Sequence, residues 1–486
     1  MTMDAVRFLS DEDVESIHFA SLEILDKTGI DVMNEEVRES LETEGCIIDS
    51  NRVRFPVDIV ETSLKKIPSS FSLSDRDGNQ QMKVGGDNVI FNPGSSTSFI
   101  LDSESGEIRK SNTQDLVNFV RLVDGLSHIA AQSTAMIPTD VPNEISDFYR
   151  LFIVLSNSTK PIISGAFSKQ GLLDMVNMLE VIAGGAELLS KNPRAIFDCC
   201  PLSPLMWGDI SSQNLVDCAK HKVPAQIVPA PMMGGTSAIT LSGTLAQANA
   251  EILSGIVISQ TAKPGAPLIY GGAIGSLDMV HGTYRIGSIE ATMAACASAE
   301  IARYYGMPSH AYLGISDSHA LDNQSGVETS MGIFLAALSK INIISGPGML
   351  SSINCQSLEK IAIDNEICAS AYRLLKGISV DVGSNLTKLV EDVGPGGNFL
   401  VKKHTSKHLR EEHFVPTNVI SRLPVELWKR SGSKNSPERA REVVKQTLET
   451  HTPHPLSSDL EDELGQSLRR SLEKHGIAFK NLPIKK

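Results

Sequence analysis

One short segment, 317–328, carries five side chains of the types that hold cations or move protons. They are Asp317, His319, Asp322, Gln324 and Glu328. When carboxylates of this kind are buried together, they can bind a cation or shift the pKa of a neighbouring acid. The alternative is a solvated loop that leads into a helix beginning near Asn323. The spacing alone leaves both interpretations open.

Two aromatic side chains could add a face for a positively charged ligand. Phe167 and Trp207 each lie shortly after an apolar run, and Trp207 is one of only two tryptophans. The face of an aromatic ring attracts a quaternary ammonium group. Packing inside the wall of the fold is the alternative role for Trp207.

Other motifs of known chemistry are incomplete. The pair Cys199-Cys200 has no histidine at zinc-binding spacing. The glycine-rich runs 271–275 and 394–397 lack the Lys and Ser/Thr of a phosphate-binding loop, and no Gly-x-Ser-x-Gly elbow occurs. We therefore predict neither a metal site nor hydrolase chemistry.

The elements that must position these residues alternate between short apolar runs and longer helical patterns. The strand candidates are 89–101, 130–137, 161–166, 195–202, 225–231, 267–273, 310–315 and 341–345. The helical patterns are 116–126, 145–156, 172–182, 214–221, 245–262, 289–305, 327–338 and 358–375. Eight such units predict an α/β fold, a TIM (β/α)8 barrel whose site lies at the carboxyl ends of the strands. A doubly wound open sheet is the alternative, and it is weaker because no glycine-rich dinucleotide turn follows the first strand.

The barrel interpretation divides the 486 residues into three parts. Residues 1–87 are predicted to form an N-terminal α+β cap, residues 88–395 the barrel and residues 396–486 a C-terminal helical extension. Asp317 and Gly348 follow the seventh and eighth strands, so both should lie at the same end of the barrel.

Charge and cysteine usage exclude some partners and compartments. The chain carries 44 Lys and Arg against 57 Asp and Glu, a net charge of −13. This balance disfavours nucleic acid and anionic membrane surfaces as partners. Seven scattered cysteines and an acidic N-terminus without an apolar core predict a reducing, cytoplasmic location.

Four segments resemble, in order, the signatures of the trimethylamine methyltransferase family. Residues 316–328 read SDSHALDNQSGVE and residues 346–350 read GPGML. Residues 363–367 read IDNEI, and GPGGNFL at 394–400 is followed by His404-Thr405. The resemblance covers nearly the whole chain. One departure is His319, where the family often has Lys.

The resemblance implies an enzyme that transfers methyl groups to a corrinoid. Founding members of the family demethylate trimethylamine and contain pyrrolysine, whereas this chain has only standard residues. It therefore resembles the branch that lacks pyrrolysine. Known members of that branch demethylate glycine betaine, proline betaine or carnitine and pass the methyl group to the cob(I)amide of a separate small corrinoid protein. The resemblance implies no tightly bound cofactor. It also implies that the protein forms a homo-oligomer.

Site roles follow from this resemblance and from position. Asp317, Asp322 and Glu328 are the predicted catalytic group, which supplies negative potential near a cationic head. The predicted substrate-binding residues are Phe167, Trp207, His310, His319, Gln324 and Gly348. Glycine betaine is the first predicted substrate, and its carboxylate would need a donor such as His310 or Arg285. The alternatives are another betaine, or a non-catalytic barrel that binds a betaine or the corrinoid protein.

Overall fold

The computed structural model describes residues 5–79, 81–380 and 383–483. Its N-terminal part holds three helices and five short strands. They are α1 (Asp11–Glu23), β1 (Ile30–Val32), α2 (Glu35–Thr43), β2 (Ile47–Asp49), β3 (Arg52–Arg54), α3 (Val57–Leu64), β4 (Phe71–Ser74) and β5 (Gln81–Val84). Ser10 caps α1 by accepting a hydrogen bond from the Asp13 amide, as the predicted helix start requires. A π-helical turn, Ile24–Thr28, continues α1 to Gly29.

Eight parallel strands form the centre of the molecule. They are β6 (Ile90–Asn92), β9 (Gln132–Ser133), β10 (Ile162–Gly165), β11 (Ala195–Cys199), β13 (Ala225–Ile227), β15 (Leu268–Tyr270), β18 (His310–Ala311) and β19 (Ile343–Ser345). Five pair in the order β9-β10-β11-β13-β15 and three in the order β18-β19-β6. A bridge between Tyr270 and Ser309 joins the two groups. At the other junction the Ala130 amide donates to the Phe91 carbonyl at 2.9 Å. These contacts connect the strands in a ring.

Helices alternate with the ring strands. They are α4 (Thr113–Gly125), α5 (Ser146–Asn157), α6 (Lys169–Ala183), α8 (Asp209–His221), α9 (Leu241–Ala262), α10 (Ile289–Tyr304), α11 (Asn323–Leu338) and α12 (Leu358–Leu375). A 3₁₀ turn at Asn143–Ile145 and the short helix α7 (Ala186–Lys191) supplement them. The α/β class is thus confirmed, and the ring of pairings fits the barrel rather than the open sheet.

Short additional strands lie in the loops at the carboxyl ends of the ring strands. They are β7 (Phe99–Leu101), β8 (Ile108–Lys110), β12 (Met206–Trp207), β14 (Met232–Met233), β16 (Gly275–Asp278), β17 (Thr283–Arg285), β20 (Met349–Leu350) and β21 (Cys355–Gln356). The first predicted strand, 89–101, is therefore wrong as one element, because it divides into β6 and β7. Pro93 follows β6 directly and has no amide hydrogen for a strand ladder, so the chain turns there.

An apolar layer fills the amino-terminal half of the ring. The buried side chains of this layer are Ile90, Ala131, Ile163, Ile196, Ile269 and Ile343. Leu73 and Val84 of the β4–β5 hairpin pack against the same layer. Each fully buried side chain of this size stabilises the fold by about 1.5–3 kcal/mol. The hairpin therefore closes the amino ends of the strands and leaves the carboxyl ends for a site.

Five helices follow the ring. They are α13 (Ser384–Val393), α14 (Lys403–Glu412), α15 (Val425–Arg430), α16 (Ser436–Thr450) and α17 (Ser458–Lys474), with a final 3₁₀ turn at Phe479–Asn481. Val444 of α16 and Leu464, Leu468 and Leu472 of α17 are buried in the main core. The predicted boundary at 395/396 falls between α13 and α14, and the three-domain division stays a prediction. No helix in the described ranges is long and apolar enough to cross a bilayer.

Candidate active site at the carboxyl ends of the strands

A polar layer lies directly above the apolar layer inside the ring. Side chains two positions apart in a strand point to the same face. The next inward-facing positions therefore lie two residues after each member of the apolar layer. They are Asn92, Ser133, Gly165, Asp198, Gly271 and Ser345. Each inward position is thus polar or lacks a side chain at the level where a TIM barrel places its site.

Asp198 at the end of β11 is the one carboxylate of this layer. It accepts hydrogen bonds from the Gln226 side-chain amide and from the Tyr312 hydroxyl, the latter at 3.0 Å. Burial raises the pKa of Asp198 to about 6 in spite of both hydrogen bonds. Within the described residues, no Lys, Arg or His lies within salt-bridge distance of this carboxylate. The ring therefore holds a negative charge without a protein counter-charge.

The residues around Asp198 enclose a space rather than a packed core. Asp198 and Tyr312 retain part of their accessible surface, and Cys200 is exposed, although protein atoms surround all three. The Ser95 hydroxyl lies 3.5 Å from the Tyr312 hydroxyl. Burial raises the pKa of the Cys200 thiol to about 12, so it stays protonated and is a poor nucleophile.

His310 closes the floor of this space as a neutral ring. Its Nε2 lies 3.0 Å from the Ser345 hydroxyl, which donates to Asn92 Oδ1 at 2.8 Å. This chain of donors places the ring proton on Nε2 and leaves Nδ1 as an acceptor. Burial lowers the pKa of His310 to about 3, so it carries no charge near neutral pH. A Cβ at Gly271 would lie only 3.1 Å from Nδ1.

An apolar cluster covers part of the same end of the ring. Its buried members are Val228, Ala273, Ile286, Ile315 and Met349, with Tyr284 and Tyr312 packed against it. These residues come from four different loops. They restrict the access of water to the polar layer, which strengthens every electrostatic interaction inside.

Asp317 and Glu328, two predicted catalytic residues, lie together above this cluster. Asp317 accepts from the amides of Ile286 and Gly287 and from the Ser352 hydroxyl at 2.8 Å. Glu328 Oε2 accepts from the Ser316 hydroxyl at 2.6 Å and from the Asp317 amide at 2.8 Å. Burial raises the pKa of Asp317 despite its hydrogen bonds. Both carboxylates thus tie together the loops that follow β15, β18 and β19.

The other three predicted site residues of segment 317–328, His319, Asp322 and Gln324, are exposed. Gln324 donates to Glu328 Oε1 at 2.9 Å, and His319 Nδ1 lies 2.8 Å from the Ser351 hydroxyl. Asp322 is the N-cap of α11 and accepts from the Ser325 amide at 2.9 Å. This hydrogen bond is the main reason that the pKa of Asp322 is lowered.

The geometry of Asp322 predicts a structural effect of its replacement. Asp322→Ala removes a helix cap and should lower the free energy of unfolding by about 1 kcal/mol. Asp322→Asn is the matched control, because asparagine caps helices about as well as aspartate. Urea unfolding measures the effect on stability, and the rate of the methyl transfer that the family resemblance implies measures the effect on activity. A tenfold loss of rate in Asp322→Asn at unchanged stability would show that the carboxylate acts in the chemistry.

The two aromatic residues lie in different environments. Phe167 is 50% exposed in the loop after β10, with the Arg150 guanidinium 4.9 Å from its ring centroid. Trp207 is fully buried in β12, which pairs with β1, and its indole donates to the Ser254 hydroxyl of α9 at 2.9 Å. The structure does not bring Trp207 to the polar layer, and its binding role stays a prediction without support from its position.

Gly348 lies in the loop after β19, at the same end of the ring as Asp317. The Ser316 amide donates to the Met349 carbonyl at 3.2 Å, which places the two loops side by side. The Gly348 amide donates to Asp364 Oδ2 at 2.6 Å, and Lys360 pairs with the same oxygen at 2.6 Å. This buried ion pair of α12 holds the loop in place. Gly348 has a φ of 92° there, a backbone conformation that favours glycine.

His310 was among the residues predicted from the sequence, and its binding role stays a prediction, whereas Asp198, Gln226 and Tyr312 were not predicted. The available signal was the position of Asp198 two residues after Ile196, on the same strand face. No group of three or more metal-ligating residues occurs in the part of the chain that the structure describes.

Comparisons with known proteins agree with this architecture. A family model described as trimethylamine methyltransferase (MTTB) matches residues 1–475. A glycine betaine methyltransferase of Desulfitobacterium hafniense strain Y51 is 31% identical, over 94% of this chain and 95% of that protein. A trimethylamine methyltransferase, MttB, of D. hafniense strain DSM 10664 / DCB-2 is 30% identical, over 96% of this chain and 95% of that protein.

The fold also has a counterpart among solved structures. The crystal structure of the Methanosarcina barkeri monomethylamine methyltransferase (MtmB) superposes with a TM-score of 0.50 at 14% identity, over 99% of this chain and 96% of that chain. At this identity the likeness concerns the fold alone. The family match over residues 1–475 and the relatives at 31% and 30% identity show that this chain belongs to the trimethylamine methyltransferase (MTTB) family.

Proposed function

We propose that this protein transfers a methyl group from a quaternary amine to the corrinoid of a separate protein. Membership of a methyltransferase family supports the reaction class. The observation that carries the substrate class is Asp198, a carboxylate inside the ring without a protein counter-charge. A buried charge of this kind is costly until an opposite charge joins it. A permanently cationic ligand supplies that charge.

The residues around Asp198 orient the cation. Gln226 and Tyr312 hold the carboxylate in one position, and the Tyr312 ring stands 5.1 Å from the His310 ring, nearly perpendicular to it. Aromatic faces add cation–π attraction for methylated nitrogen. Because His310 is neutral, it does not repel the ligand. The site therefore binds positive charge with one full negative charge and polarisable walls.

The chemistry then needs little help from acids or bases. In the transfer, the bond between nitrogen and a methyl carbon breaks, and its electron pair stays on nitrogen. A quaternary amine thereby leaves as a neutral tertiary amine and requires no proton. The protein's task is to hold the methyl carbon in line with the incoming nucleophile and to exclude water.

The nucleophile, cob(I)amide, would be supplied by a small corrinoid protein docked at the carboxyl ends of the strands. Large apolar side chains are exposed there on three successive loops: Leu202 (51%), Ile239 (65%), Met279 (66%) and Val280 (85%). Exposed apolar groups that cluster at one site indicate a contact with a partner. These residues fit the approach of an extended, largely apolar ring and the protein face around it.

Glycine betaine is the substrate that we propose first. The glycine betaine methyltransferase relative supports this choice at 31% identity. Arg285 can contribute to binding the carboxylate of glycine betaine. Its side chain is partly exposed, and its ion pair with Asp278 is long, at 3.7 Å. We also propose that Asp317 and Glu328 add negative potential near the bound cation. Their hydrogen bonds hold together the loops around the site.

A purified mixture tests the proposal. The protein, its corrinoid protein in the reduced state and glycine betaine should give the absorbance change of corrinoid methylation together with dimethylglycine. Proline betaine and carnitine assayed in parallel identify another betaine as the substrate. Stoichiometric binding of a betaine without turnover under these conditions would instead identify a non-catalytic binding protein.

Asp198 also predicts opposite pH dependences for rate and stability. The pKa near 6 means that kcat/KM should fall about tenfold per unit below pH 6, as the carboxylate becomes protonated. The folded-state pKa lies above the unfolded value of about 3.9, so the folded protein binds the extra proton between roughly pH 4 and 6. The free energy of unfolding should therefore rise as pH falls through that window, by up to about 3 kcal/mol from this group.

Rate profiles between pH 5 and pH 8 and urea unfolding between pH 4 and pH 8 measure the two effects. His310 cannot produce the acid limb, because its pKa is about 3. Asp198→Asn should remove this group's contribution to both dependences. An acid limb near pH 6 that persists in a variant with residual activity would assign the titration to another group.

A further inference from the structure

Ser96 lies in the loop after β6, at the carboxyl ends of the strands, and its hydroxyl hydrogen has no protein acceptor. The Ser96 Oγ accepts a hydrogen bond from Arg150 Nη1 at 3.2 Å. A serine hydroxyl accepts and donates at the same time. Within the described residues nothing takes the hydrogen of Ser96, and the residue is only half-buried. The hydroxyl is therefore available to donate to a ligand.

The backbone at Ser96 has a left-handed conformation, with a φ of 67°. Residues other than glycine adopt this conformation at a cost, and such positions are concentrated at ligand-binding sites. The loop is held in place nearby, because the Gly94 carbonyl accepts from the Ser133 hydroxyl and from the Gln356 side-chain amide, both at 2.9 Å. These contacts fix the backbone that presents the Ser96 hydroxyl.

Arg150 of α5 supplies a positive charge directly behind Ser96. Its guanidinium is fully buried and also donates to the Thr134 carbonyl at 3.1 Å and to the Gly165 carbonyl at 3.4 Å. Its counter-ion, Asp147, lies 3.4 Å from the other terminal nitrogen, Nη2. The nitrogen that reaches Ser96 hydrogen-bonds to no carboxylate among the described residues. A donor polarised in this way by a cation is a stronger partner for an anion.

Arg150 and Asp198 act on neighbouring strands of the ring. Gly165, whose carbonyl contacts Arg150, is the register partner of Asp198 in the pairing of β10 with β11. Gly165 is also one of the inward-facing positions, and it has no side chain. The end of β10 therefore leaves room between the negative charge of Asp198 and the positive charge of Arg150.

A line of hydroxyls connects the same two charges across the ring. The Tyr312 hydroxyl donates to Asp198 at 3.0 Å and lies 3.5 Å from the Ser95 hydroxyl. Ser95 precedes Ser96, which accepts from Arg150. The site is thus negative at one end and positive at the other, which is the charge pattern that a zwitterion requires.

Phe167 determines which residue of the positive end meets a ligand. The Arg150 guanidinium lies 4.9 Å from the centroid of the Phe167 ring and has no exposed surface. Ser96, in contrast, retains part of its accessible surface. A ligand at the carboxyl ends of the strands therefore contacts Ser96, and Arg150 acts on the ligand through Ser96.

We propose that Ser96 donates its hydroxyl hydrogen to the carboxylate of a zwitterionic quaternary amine, with Arg150 as the positioning residue behind it. This inference rests on the proposed function, because it places the ammonium group of the substrate at Asp198. It assigns the opposite end of the substrate to the loop after β6. A quaternary amine without a carboxylate loses this contact and keeps the one to Asp198.

Calorimetry with glycine betaine and tetramethylammonium tests Ser96. In tetramethylammonium a methyl group replaces the arm that bears the carboxylate, so the cation alone is retained. Ser96→Gly removes the hydroxyl and adopts a φ of 67° without strain. It should weaken the binding of glycine betaine at least tenfold and change that of tetramethylammonium less than twofold. The matched control is Ser50→Gly, at a serine with a φ of 57° in the exposed turn after β2, which should change neither affinity.

Arg150 is tested by its charge. Arg150→Gln should also weaken only glycine betaine, and Arg150→Lys should restore part of that affinity because it keeps the positive charge. In the methyl-transfer assay with glycine betaine, KM should rise in Ser96→Gly while kcat stays within threefold, as expected for a binding contact. Circular dichroism shows whether each variant is folded, and Ser96→Gly decides the proposal if Arg150→Gln does not fold.

The two compounds separate this inference from the proposed function. A wild type that binds neither compound overturns both. A wild type that binds both, with Ser96→Gly weakening the two equally or not at all, overturns the assignment of Ser96 and leaves the cation site intact. A loss specific to glycine betaine in Arg285→Gln, without one in Ser96→Gly, would likewise overturn it and place the carboxylate at the loop after β15.

Discussion

Asp198→Asn should lower kcat/KM for the quaternary amine at least 100-fold, a loss of about 2.7 kcal/mol of transition-state stabilisation. The substitution removes the one carboxylate of the polar layer and preserves its shape. Gln226 donates to Asp198 and has no partner for its own Oε1. Its amide can therefore rotate to accept from the new asparagine, so the hydrogen-bond network survives.

The same variant should be at least as stable as the wild type at neutral pH. A buried carboxylate without a counter-charge destabilises the folded protein, as the raised pKa of Asp198 indicates. Removal of that charge should leave the urea midpoint unchanged or higher. Loss of activity with gain of stability distinguishes a ligand-binding carboxylate from a structural one.

Asp124→Asn is the matched control for this experiment. Asp124 on α4 lies outside the ring and pairs with His451 at 2.7 Å and with the Thr159 amide at 2.9 Å. Its replacement should lower stability and leave kcat/KM unchanged. Full activity of Asp198→Asn would move the cation site away from β11 and make the Asp317–Glu328 pair the next candidate.

The sequence pattern predicted the alternation of strands and helices well, and five of the eight ring helices begin at a residue whose side chain caps them. The helix predicted at 358–375 occurs at Leu358–Leu375, where Ser357 accepts from the Lys360 amide as N-cap. The predicted strands were too long. Apolar runs such as 195–202 continue past the end of ring pairing, so hydrophobicity does not mark the end of β11 at Cys199.

That error concealed the candidate site. With the fourth strand predicted to run from 195 to 202, Asp198 fell inside an apolar element rather than at its end. The polar segment 317–328 drew attention because its side chains are close in sequence. Asp198 lies in β11, Gln226 in β13 and Tyr312 directly after β18, and the three meet only when the ring closes. Spacing along the chain does not show that these three residues come into contact. The alternation of inward-facing and outward-facing positions in each strand does indicate which side chains enter the ring.

Selectivity for permanently charged nitrogen is the second large effect expected. Glycine betaine should be demethylated, while dimethylglycine and trimethylamine should react at least 1000-fold more slowly, about 4 kcal/mol in barrier. A tertiary ammonium carries a proton, and a cavity of low polarity next to a buried carboxylate favours the neutral acid and the neutral amine over the ion pair. Once the nitrogen is neutral, release of a methyl group would leave an amide anion, which is a very poor leaving group. A quaternary nitrogen has no proton to lose, so its charge persists through the transfer.

An isostere with an uncharged head group isolates the contribution of the positive charge from that of shape. In 3,3-dimethylbutyrate a carbon replaces the nitrogen of glycine betaine, and the compound cannot be demethylated. It should bind the wild type at least tenfold more weakly than glycine betaine, because it gives Asp198 no counter-charge. Calorimetry should show that the difference in affinity between the two compounds is smaller in Asp198→Asn. The pocket of that variant no longer distinguishes a cationic head group from an uncharged one of the same shape. Equal binding of both compounds by the wild type would mean that shape alone selects the ligand. Rapid turnover of trimethylamine would mean that some group in the ring protonates the leaving amine, and the neutral His310 and the protonated Cys200 would then be the first residues to test.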